Sequence, residues 1–260
     1  MKMIDTHTHL PGTRLGAPPR PITEIRGEFE GDGLVGAWIM TVDGLILDAN
    51  RGNDELASAT KDHLDFFVPF CTVNPHHGAE AAIREMERAK HDLGMRGLKL
   101  HPWLQSFSMS HPAIPSILRR AGELGMPVLF HDGTPPYGTP LQIASVADMA
   151  PQTKMILGHA GLDDLYKDAI SACLRHPNIY LCCCSLSCGY IEEIIRRCPV
   201  ERLLYGSDGG FGAGLVGSAT DKILAVCDDE RIARSIFYDN PQAMLPLPGS
   251  WEGGDCSFPS

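Results

Sequence analysis

The sequence predicts an α/β fold, a single-domain (β/α)8 barrel of the TIM-barrel type, on three observations. The chain has 260 residues, close to the roughly 250 that such a barrel typically takes. Eight short apolar runs alternate with segments of helical period, which indicates a mainly parallel sheet. Histidine, lysine and aspartate residues fall at the ends of several of these runs, and a barrel gathers its active site at the carboxyl ends of its strands.

The first strand is predicted over Met3–Leu10 and contains two histidines. Strand alternation places Asp5, His7 and His9 on one face and the threonines between them on the other. Two imidazoles two residues apart on a strand can both reach one cation. This stretch alone is also compatible with two solvent-facing histidines, so the interpretation depends on the residues that follow.

Seven further strands are predicted from apolar runs bounded by glycine or proline, at Gly33–Val42, Phe66–Pro75, Met95–Pro102, Met126–Gly133, Lys154–Gly161, Asn178–Ser185 and Arg202–Gly210. The segments between them have apolar residues at helical spacing, which predicts helices over Asp54–His63, Ala79–Leu93, Ala113–Leu124 and Asp163–His176. Four prolines in Pro11–Pro21 predict a long loop after the first strand. We expect the barrel to occupy residues 1–248 and residues 249–260 to form an irregular tail.

Composition excludes several classes of protein. The hydrophobic fraction of 43% and charged fraction of 21% are those of a globular chain. No apolar run approaches the roughly 20 residues that cross a bilayer, and the net charge of −10 disfavours nucleic acid and anionic membranes as partners. The chain begins without a secretory leader, so we expect a cytoplasmic protein, with homo-oligomer formation left open.

The nine cysteines are predicted to be reduced rather than paired in disulfides. Three of them, Cys182–Cys184, are consecutive within an apolar strand-like run, where buried cysteine behaves as a small hydrophobe. With Cys188 they form no CxxC pair and have no histidine nearby, which disfavours a zinc knuckle.

Polar residues at the strand ends predict the functional site. Taken singly they have ordinary explanations: His131 could be a core imidazole, Asp208 a helix N-cap and Lys99 a surface lysine. Their shared position at the same end of successive strands is difficult to attribute to chance. The set comprises His7, His9, Lys99, His101, His131, His159 and Asp208.

Motifs along nearly the whole chain resemble the amidohydrolase superfamily of metal-dependent hydrolases, and within it the amidohydrolase-related branch. The motifs are Asp5-Thr-His-Thr-His9, Phe67-Val-Pro-Phe70, Gly97-Leu-Lys-Leu-His-Pro102, Pro127-Val-Leu-Phe-His131, Leu157-Gly-His-Ala-Gly161, Arg202-Leu-Leu-Tyr-Gly-Ser-Asp208 and Asp239-Asn-Pro241. The resemblance implies that metal is bound and water activated at His7, His9, His131, His159 and Asp208. It also implies an activity within a branch that includes hydrolases of lactones, amides and carboxylic esters, and non-oxidative decarboxylases.

The chemistry of these residue types agrees with that implication. A divalent cation held by neutral imidazoles and a carboxylate lowers the pKa of a bound water from about 15.7 toward 7. We expect Asp208 to act as general base and then acid. His159 is expected either to bind the metal or to hydrogen-bond the water or substrate. The predicted cofactor is zinc, as one ion or two.

Lys99 decides how many metals are expected. In binuclear members of the superfamily a lysine on the fourth strand forms a carbamate that bridges two metals, and Lys99-Leu-His-Pro102 is similar to that setting. The alternative, which we favour, is an ammonium group that binds a substrate carboxylate. His101, two residues further on, then becomes a substrate contact.

Substrate selectivity is expected to come from the loops after the strands. Trp103 is the predicted substrate-binding residue among the candidates, which are Arg14, Arg20, Trp103, Gln105 and Tyr137. The predicted function is hydrolysis of a small amide, lactone or carboxylic ester by metal-activated water. The alternatives are decarboxylation of an aromatic or unsaturated acid and, less favoured because no ligand position is missing, a non-catalytic binding protein.

Overall fold

The computed structural model describes residues 1–12 and 20–247. Its centre is a parallel sheet whose strands follow one another in sequence order. Runs of aliphatic and β-branched residues form these strands, and each is buried on both faces, as parallel sheets require. Within the described residues the strands are β1 Met3–Leu10, β2 Leu34–Thr41, β3 Phe67–Thr72, β4 Gly97–Leu100, β5 Val128–Phe130, β6 Met155–Leu157, β7 Ile179–Cys182 and β8 Leu203–Leu204.

Backbone hydrogen bonds between β1 and the residues after β8 bring the two edges of the sheet together. The Thr6 amide donates to the Tyr205 carbonyl at 3.0 Å, and the Asp208 amide donates to the His7 carbonyl at 2.9 Å. Thr8 and Gly209 form a further parallel bridge. The sheet therefore forms a nearly closed barrel, and the predicted (β/α)8 fold is confirmed.

Helices surround the sheet, and their apolar faces pack on the outward-facing strand residues. One helix illustrates this with a buried apolar face formed by Ile114, Ile117, Leu118 and Ala121. The helices of the described residues are α1 Ile22–Gly31, α2 Asp43–Ile46, α3 Ala49–Thr60, α4 Ala79–His91, α5 Ile114–Glu123, α6 Pro140–Ala147, α7 Leu162–Arg175, α8 Cys188–Arg197, α9 Leu215–Leu224, α10 Glu230–Arg234 and α11 Asn240–Met244.

The barrel interior is filled by side chains rather than open. Trp38 and Phe70 stack there with ring centroids 5.1 Å apart. Met244 and Leu247 from the end of the described chain pack into the same cluster, and the other fully buried members are Ile4, Met40, Val68, Leu129, Ile156, Cys182, Cys184 and Leu204. With the centre filled, polar chemistry is confined to the rim where the strands end.

Element boundaries differ from the expectations in two ways. The strands after β1 are shorter than the apolar runs, because the terminal residues of each run leave the ladder to enter loops. The third helix was predicted at Asp54–His63 but occupies Ala49–Thr60, and the short helix α2 precedes it. Its start is fixed by Asp48, whose carboxylate accepts a hydrogen bond from the Arg51 amide at 3.2 Å.

The expected alternation along β1 is wrong at Asp5. Between Asp5 and Thr8 the strand has one more residue than its partner β2 has between Ala37 and Ile39, which is a β-bulge. The Asp5 carboxylate instead accepts hydrogen bonds from the amides of His7 at 3.0 Å and Ser207 at 3.1 Å. It joins β1 to the β8 end rather than sharing the face of the two histidines.

Two predicted segments lie wholly or partly outside the described residues. They are residues 13–19 of the loop Pro11–Pro21, which include Arg14, and the tail 249–260. The boundary near residue 248 therefore stays a prediction. In the part of the chain that is described, none of the helices has the length and apolar character needed to cross a membrane.

Candidate metal centre

His7 lies at the centre of the site and has a defined tautomer. Its Nδ1 lies 3.0 Å from the Gly158 carbonyl oxygen, which can only accept, so Nδ1 carries the proton and Nε2 carries the free lone pair. Burial, followed by the charge of Lys99, holds the pKa of His7 well below its usual value. His7 is therefore a neutral imidazole with a nitrogen available to a cation.

Asp208 faces both histidines of β1. Its Oδ1 accepts a hydrogen bond from His9 Nε2 at 2.9 Å and lies 3.7 Å from His7 Nε2. Burial opposes ionisation of the Asp208 carboxyl, but the hydrogen bond and charge of His9 and the nearby His7 and His159 outweigh it and hold its pKa well below the usual range. Asp208 is thus an ionised carboxylate, although its side chain is only 36% exposed.

The backbone places Asp208 in the site. Its φ of 61° lies in the left-handed region that non-glycine residues seldom adopt. Its amide is held by the His7 carbonyl, and the next residue, Gly209, donates its amide to Ser207 Oγ at 2.9 Å. The turn after β8 therefore aims the carboxylate at the end of β1 instead of leaving it as a helix N-cap.

Lys99 is buried beneath this group, with only 1% of its surface exposed. Its Nζ lies 2.9 Å from His7 Nε2. Burial, only partly offset by the Asp208 carboxylate, lowers the pKa of Lys99 to about 8. The amine is therefore mostly an ammonium at neutral pH, with a substantial neutral fraction above pH 8.

His131 and His159 form a second part of the site. His159 Nε2 and His131 Nδ1 share a hydrogen bond of 2.9 Å, with burial lowering the pKa of His159 to about 4 and of His131 to about 2. Asp132 fixes the loop of His159, because its two carboxylate oxygens accept the amides of His159 at 2.7 Å and Gly161 at 2.6 Å. Both imidazoles are neutral and held in place.

The predicted substrate contacts lie beside this pair. The His101 ring stacks on His131 with centroids 3.9 Å apart and an 11° angle between the planes. Trp103 is 54% exposed, and its ring centroid lies 6.2 Å from that of His101. The rim therefore has two stacked imidazoles, and the exposed Trp103 ring lies beside them, tilted by 45° to the His101 ring.

Two of the other candidate wall residues are engaged within the protein. Gln105 is buried, donating to the Val73 carbonyl at 2.9 Å and accepting the His101 amide at 2.9 Å. The Arg20 guanidinium is bonded to Glu24, Glu28 and the Gly210 carbonyl. Gln105 therefore supports the rim, and Arg20 ties the loop before α1 to the β8 end.

Two groups of side chains in the described residues have donor atoms within 4.8 Å of one another and could hold a metal ion. The first is His7, His9 and Asp208, and the second is His7, His159 and Cys184. Donor atoms around a tetrahedral zinc ion are about 3.3 Å apart, and the Asp208 Oδ1 distances of 2.9 and 3.7 Å to the two histidines straddle that value. The donor set and its spacing fit a divalent cation.

Of the six predicted metal ligands, the structure brings His7, His9 and Asp208 into the first group and His159 into the second. Lys99 contacts His7 directly. His131 belongs to neither group and contacts His159 instead. The assignment of all six as ligands stays a prediction.

Sequence reasoning missed the contributions of Cys184, Asp132 and the Gly158 carbonyl. Cys184 follows β7 at the same end of the barrel as the histidines, which is the signal that could have identified it. Its apolar neighbours instead led to its interpretation as packing. Asp132 adjoins His131, but its contribution depends on the His159 turn, 27 residues further along the chain. A backbone carbonyl gives no sequence signal.

Comparisons with known proteins agree with this architecture. The family model described as amidohydrolase matches residues 4–247. A comparison with curated proteins returns no match. Similar solved structures include one from Staphylococcus aureus assigned to the amidohydrolases, with 18% identity, a TM-score of 0.75, and coverage of 95% of this chain and 100% of the other.

Two further structures have different activities. A dihydroxybenzoic acid decarboxylase from Polaromonas with bound manganese and 2-nitroresorcinol is 17% identical with a TM-score of 0.70, covering 94% of this chain and 96% of the other. A structure from Acinetobacter baumannii assigned as a 2-pyrone-4,6-dicarboxylic acid hydrolase is 15% identical with a TM-score of 0.71, covering 94% and 99%. At these identities the likeness concerns the fold.

Because the family model spans nearly the whole described barrel, the chain belongs to the amidohydrolase family of metal-dependent TIM-barrel enzymes, which act on small molecules.

Proposed function

We propose that this enzyme is a metal-dependent hydrolase of a small amide, lactone or carboxylic ester. The observation that supports this most directly is the ionised Asp208 carboxylate, 2.9 Å from His9 and 3.7 Å from His7. The neighbouring imidazoles keep this carboxyl ionised, so it carries no proton of its own and has a free site to accept one. Hydrolysis begins with that step, because a water molecule has to lose a proton as it attacks the carbonyl carbon.

The cation would be held by His7, His9 and Asp208, with His159 beside them. Imidazole and carboxylate donors suit zinc, our preferred ion, although the manganese in the Polaromonas decarboxylase shows that this fold also accepts a harder ion. When bound, the cation would supply Lewis acidity toward water and toward the substrate carbonyl.

The protein's own residues would transfer the proton, hydrogen-bond the reacting oxygen and orient the ligands. Asp208 accepts the proton of water and returns it to the leaving group. His159, neutral and fixed through the Asp132 bonds to its loop, donates or accepts a hydrogen bond at the reacting oxygen. The Gly158 carbonyl keeps His7 in the tautomer that leaves Nε2 free.

We propose one metal and an uncarbamylated Lys99. A pKa of about 8 leaves Lys99 mostly charged at neutral pH, and a carbamate requires the neutral amine. As an ammonium within the site, Lys99 would attract a substrate carboxylate. His101 and Trp103 would contact the body of the substrate, since their rings lie next to each other at the rim with centroids 6.2 Å apart.

The second candidate function is non-oxidative decarboxylation of an aromatic or unsaturated acid. The group of aromatic side chains at the rim, His131, His101 and Trp103, favours it, because aromatic side chains pack well against a planar ring. The Polaromonas decarboxylase of the same fold supports it as well. In this reaction the protein must protonate a carbon atom, and the ionised Asp208 carboxylate has no proton to donate unless it first takes one from water.

Isotope incorporation separates the two functions. Zinc-loaded and manganese-loaded enzyme would be tested on lactones, amides, esters and aromatic acids, in water enriched in oxygen-18 and separately in deuterium oxide. A hydrolase incorporates oxygen-18 into a carboxylic acid product and releases no carbon dioxide. Deuterium on a product carbon together with carbon dioxide release would instead establish the decarboxylase and contradict our proposal.

The cytoplasm as the location, the absence of nucleic acid partners and the oligomeric state remain predictions. Cell fractionation tests the first, and light scattering of purified protein tests the last. A nucleic acid partner would appear as a shift in electrophoretic mobility, which the net charge of −10 makes unexpected.

A further inference from the structure

Cys184 is a buried thiol at the rim that the proposed reaction does not use. It lies two residues beyond the end of β7, is fully buried, and belongs to the interior cluster rather than to the layer beneath the helices. Its Sγ lies within 4.8 Å of a nitrogen of His7 and a nitrogen of His159, and 3.4 Å from Ser185 Oγ. The thiol therefore faces the same imidazoles as the metal centre.

A second observation indicates that a buried donor atom beside Cys184 lacks a partner. His159 Nδ1 is buried and has no hydrogen-bond partner among the described residues, although its other ring nitrogen is bonded to His131. Buried imidazole nitrogens are normally satisfied, and an unsatisfied one calls for an explanation such as an ion. Cys184, His7 and His159 together make a three-donor group of two nitrogens and one sulfur.

We propose that the site offers a cation two alternative triads that share His7: a nitrogen–oxygen triad with His9 and Asp208, and a nitrogen–sulfur triad with His159 and Cys184. This inference rests on the proposed metal-dependent function. His7 can offer a cation one nitrogen only, Nε2, which now contacts Lys99, because Nδ1 is bonded to Gly158; the triads therefore compete for a single ion. Thiolate ligands favour soft ions, and carboxylates favour hard ones.

The nature of the ion therefore selects the triad. Manganese is held by His7, His9 and Asp208 and leaves the thiol protonated. Cadmium, the softest of these ions, recruits Cys184, which releases its proton to solvent as the metal–sulfur bond forms, whereas zinc stays with His7, His9 and Asp208 as in the proposed function. A sulfur-bound ion lies away from Asp208, so the choice of metal would also control how well the general base is aligned.

Metal titration of the purified protein tests the proposal without an activity assay. Cadmium added to metal-free wild type should produce a thiolate-to-metal charge-transfer band in the ultraviolet. Cys184→Ser should lose that band and weaken cadmium binding by more than the about ten- to hundredfold typical for loss of an outer-shell partner. Its manganese affinity should stay within about twofold, because manganese uses the other triad.

Two cysteine controls identify the source of the band. Cys188→Ser, on the exposed start of α8, should keep the band, and so should Cys182→Ser, whose thiol contacts Thr6 at 3.6 Å. A band that survives in Cys184→Ser but disappears in Cys182→Ser would overturn the assignment. Circular dichroism verifies folding of each variant.

X-ray absorption of cadmium-loaded wild type gives a result that needs no variant. A sulfur neighbour of the cadmium ion supports the nitrogen–sulfur triad, while a shell of nitrogen and oxygen neighbours without sulfur overturns it. In that second case the proposed hydrolase function survives, because the ion is still bound. A protein that binds none of these ions would overturn both proposals.

Discussion

Asp208 and Asp132 each follow a barrel strand at the same end of the fold, yet their surroundings give them opposite chemistry. Asp208 faces imidazoles that stabilise its charge, and its pKa falls well below the usual range. Asp132 is fully buried, and desolvation raises its pKa to about 7 although two backbone amides bond to it. Two carboxylates at the same rim thus differ in ionisation because imidazoles surround one and backbone amides with a dry interior surround the other.

The largest effect is expected from Asp208→Asn, which keeps the size of the side chain but removes the base. We expect a folded protein that still binds metal, with turnover reduced by about two to four orders of magnitude. Steady-state kinetics on the substrate class identified by isotope labelling measures this. Asp164→Asn, in the exposed first turn of α7, is the matched control and should keep full activity. Near wild-type turnover in Asp208→Asn would place the proton acceptor elsewhere.

Asp132→Ala should mainly lower stability. The change leaves the buried amides of His159 and Gly161 without acceptors, which costs about 1–3 kcal/mol for each group. We expect the free energy of unfolding in urea to fall by about 2–6 kcal/mol for the two amides together. Asp164→Ala controls for loss of a surface carboxylate and should change it by less than about 0.5 kcal/mol. Equal stability of the two variants would show that Asp132 does not support the loop.

Lys99→Ala tests the occupancy of the site. If Lys99 is an ammonium that binds substrate, the variant keeps its metal and its KM rises, with kcat less affected. We expect about one metal per chain in both wild type and variant by elemental analysis. Two metals in wild type that fall to one or none in the variant, with activity partly restored by short carboxylic acids, would establish the carbamate bridge instead.

The smallest effect concerns pH and uses Asp5→Asn. Asp5 Oδ1 accepts both amide bonds, and burial raises the pKa of its carboxyl from 3.8 to about 7. A raised folded-state pKa gives stability that is present at low pH and lost as pH rises from about 4 to about 7. Asparagine cannot ionise but keeps the accepting oxygen, so the variant should gain stability relative to wild type across that window.

The relative gain in Asp5→Asn should not exceed about 1.4 kcal/mol per pH unit. The buried histidines add a pH dependence of opposite sign, but it is common to both proteins and cancels in the difference. Urea unfolding of metal-free protein between pH 4 and 8 measures it. A constant difference over this range would show that Asp5 has an ordinary pKa.

Much of the fold could be predicted because it follows from local pattern. The first strand occupies Met3–Leu10 as expected, and the apolar runs mark the remaining strands. The start of α3 was missed because the signal is one side chain, Asp48, within a segment of weak period. The bulge after Asp5 was missed because it depends on pairing with β2, which a single strand does not encode.

The site was predictable as a set of residues but not as a geometry. Residue type and strand position indicated His7, His9, Lys99 and Asp208. The contact between Lys99 and His7 depends on how β1 and β4 face each other across the barrel, which no local pattern determines. For the same reason the sequence indicated only a packing function for Cys184, since its two imidazole neighbours, His7 and His159, come from other strands of the barrel.

The measurement that tests the central claim most directly is the metal content of the purified protein. The positions of His7, His9 and Asp208 predict about one equivalent of a divalent ion per chain, most of it zinc, in protein prepared without chelator. Elemental analysis before and after zinc reconstitution gives the number, and His9→Ala should lower it. Protein that stays empty after reconstitution would contradict the account.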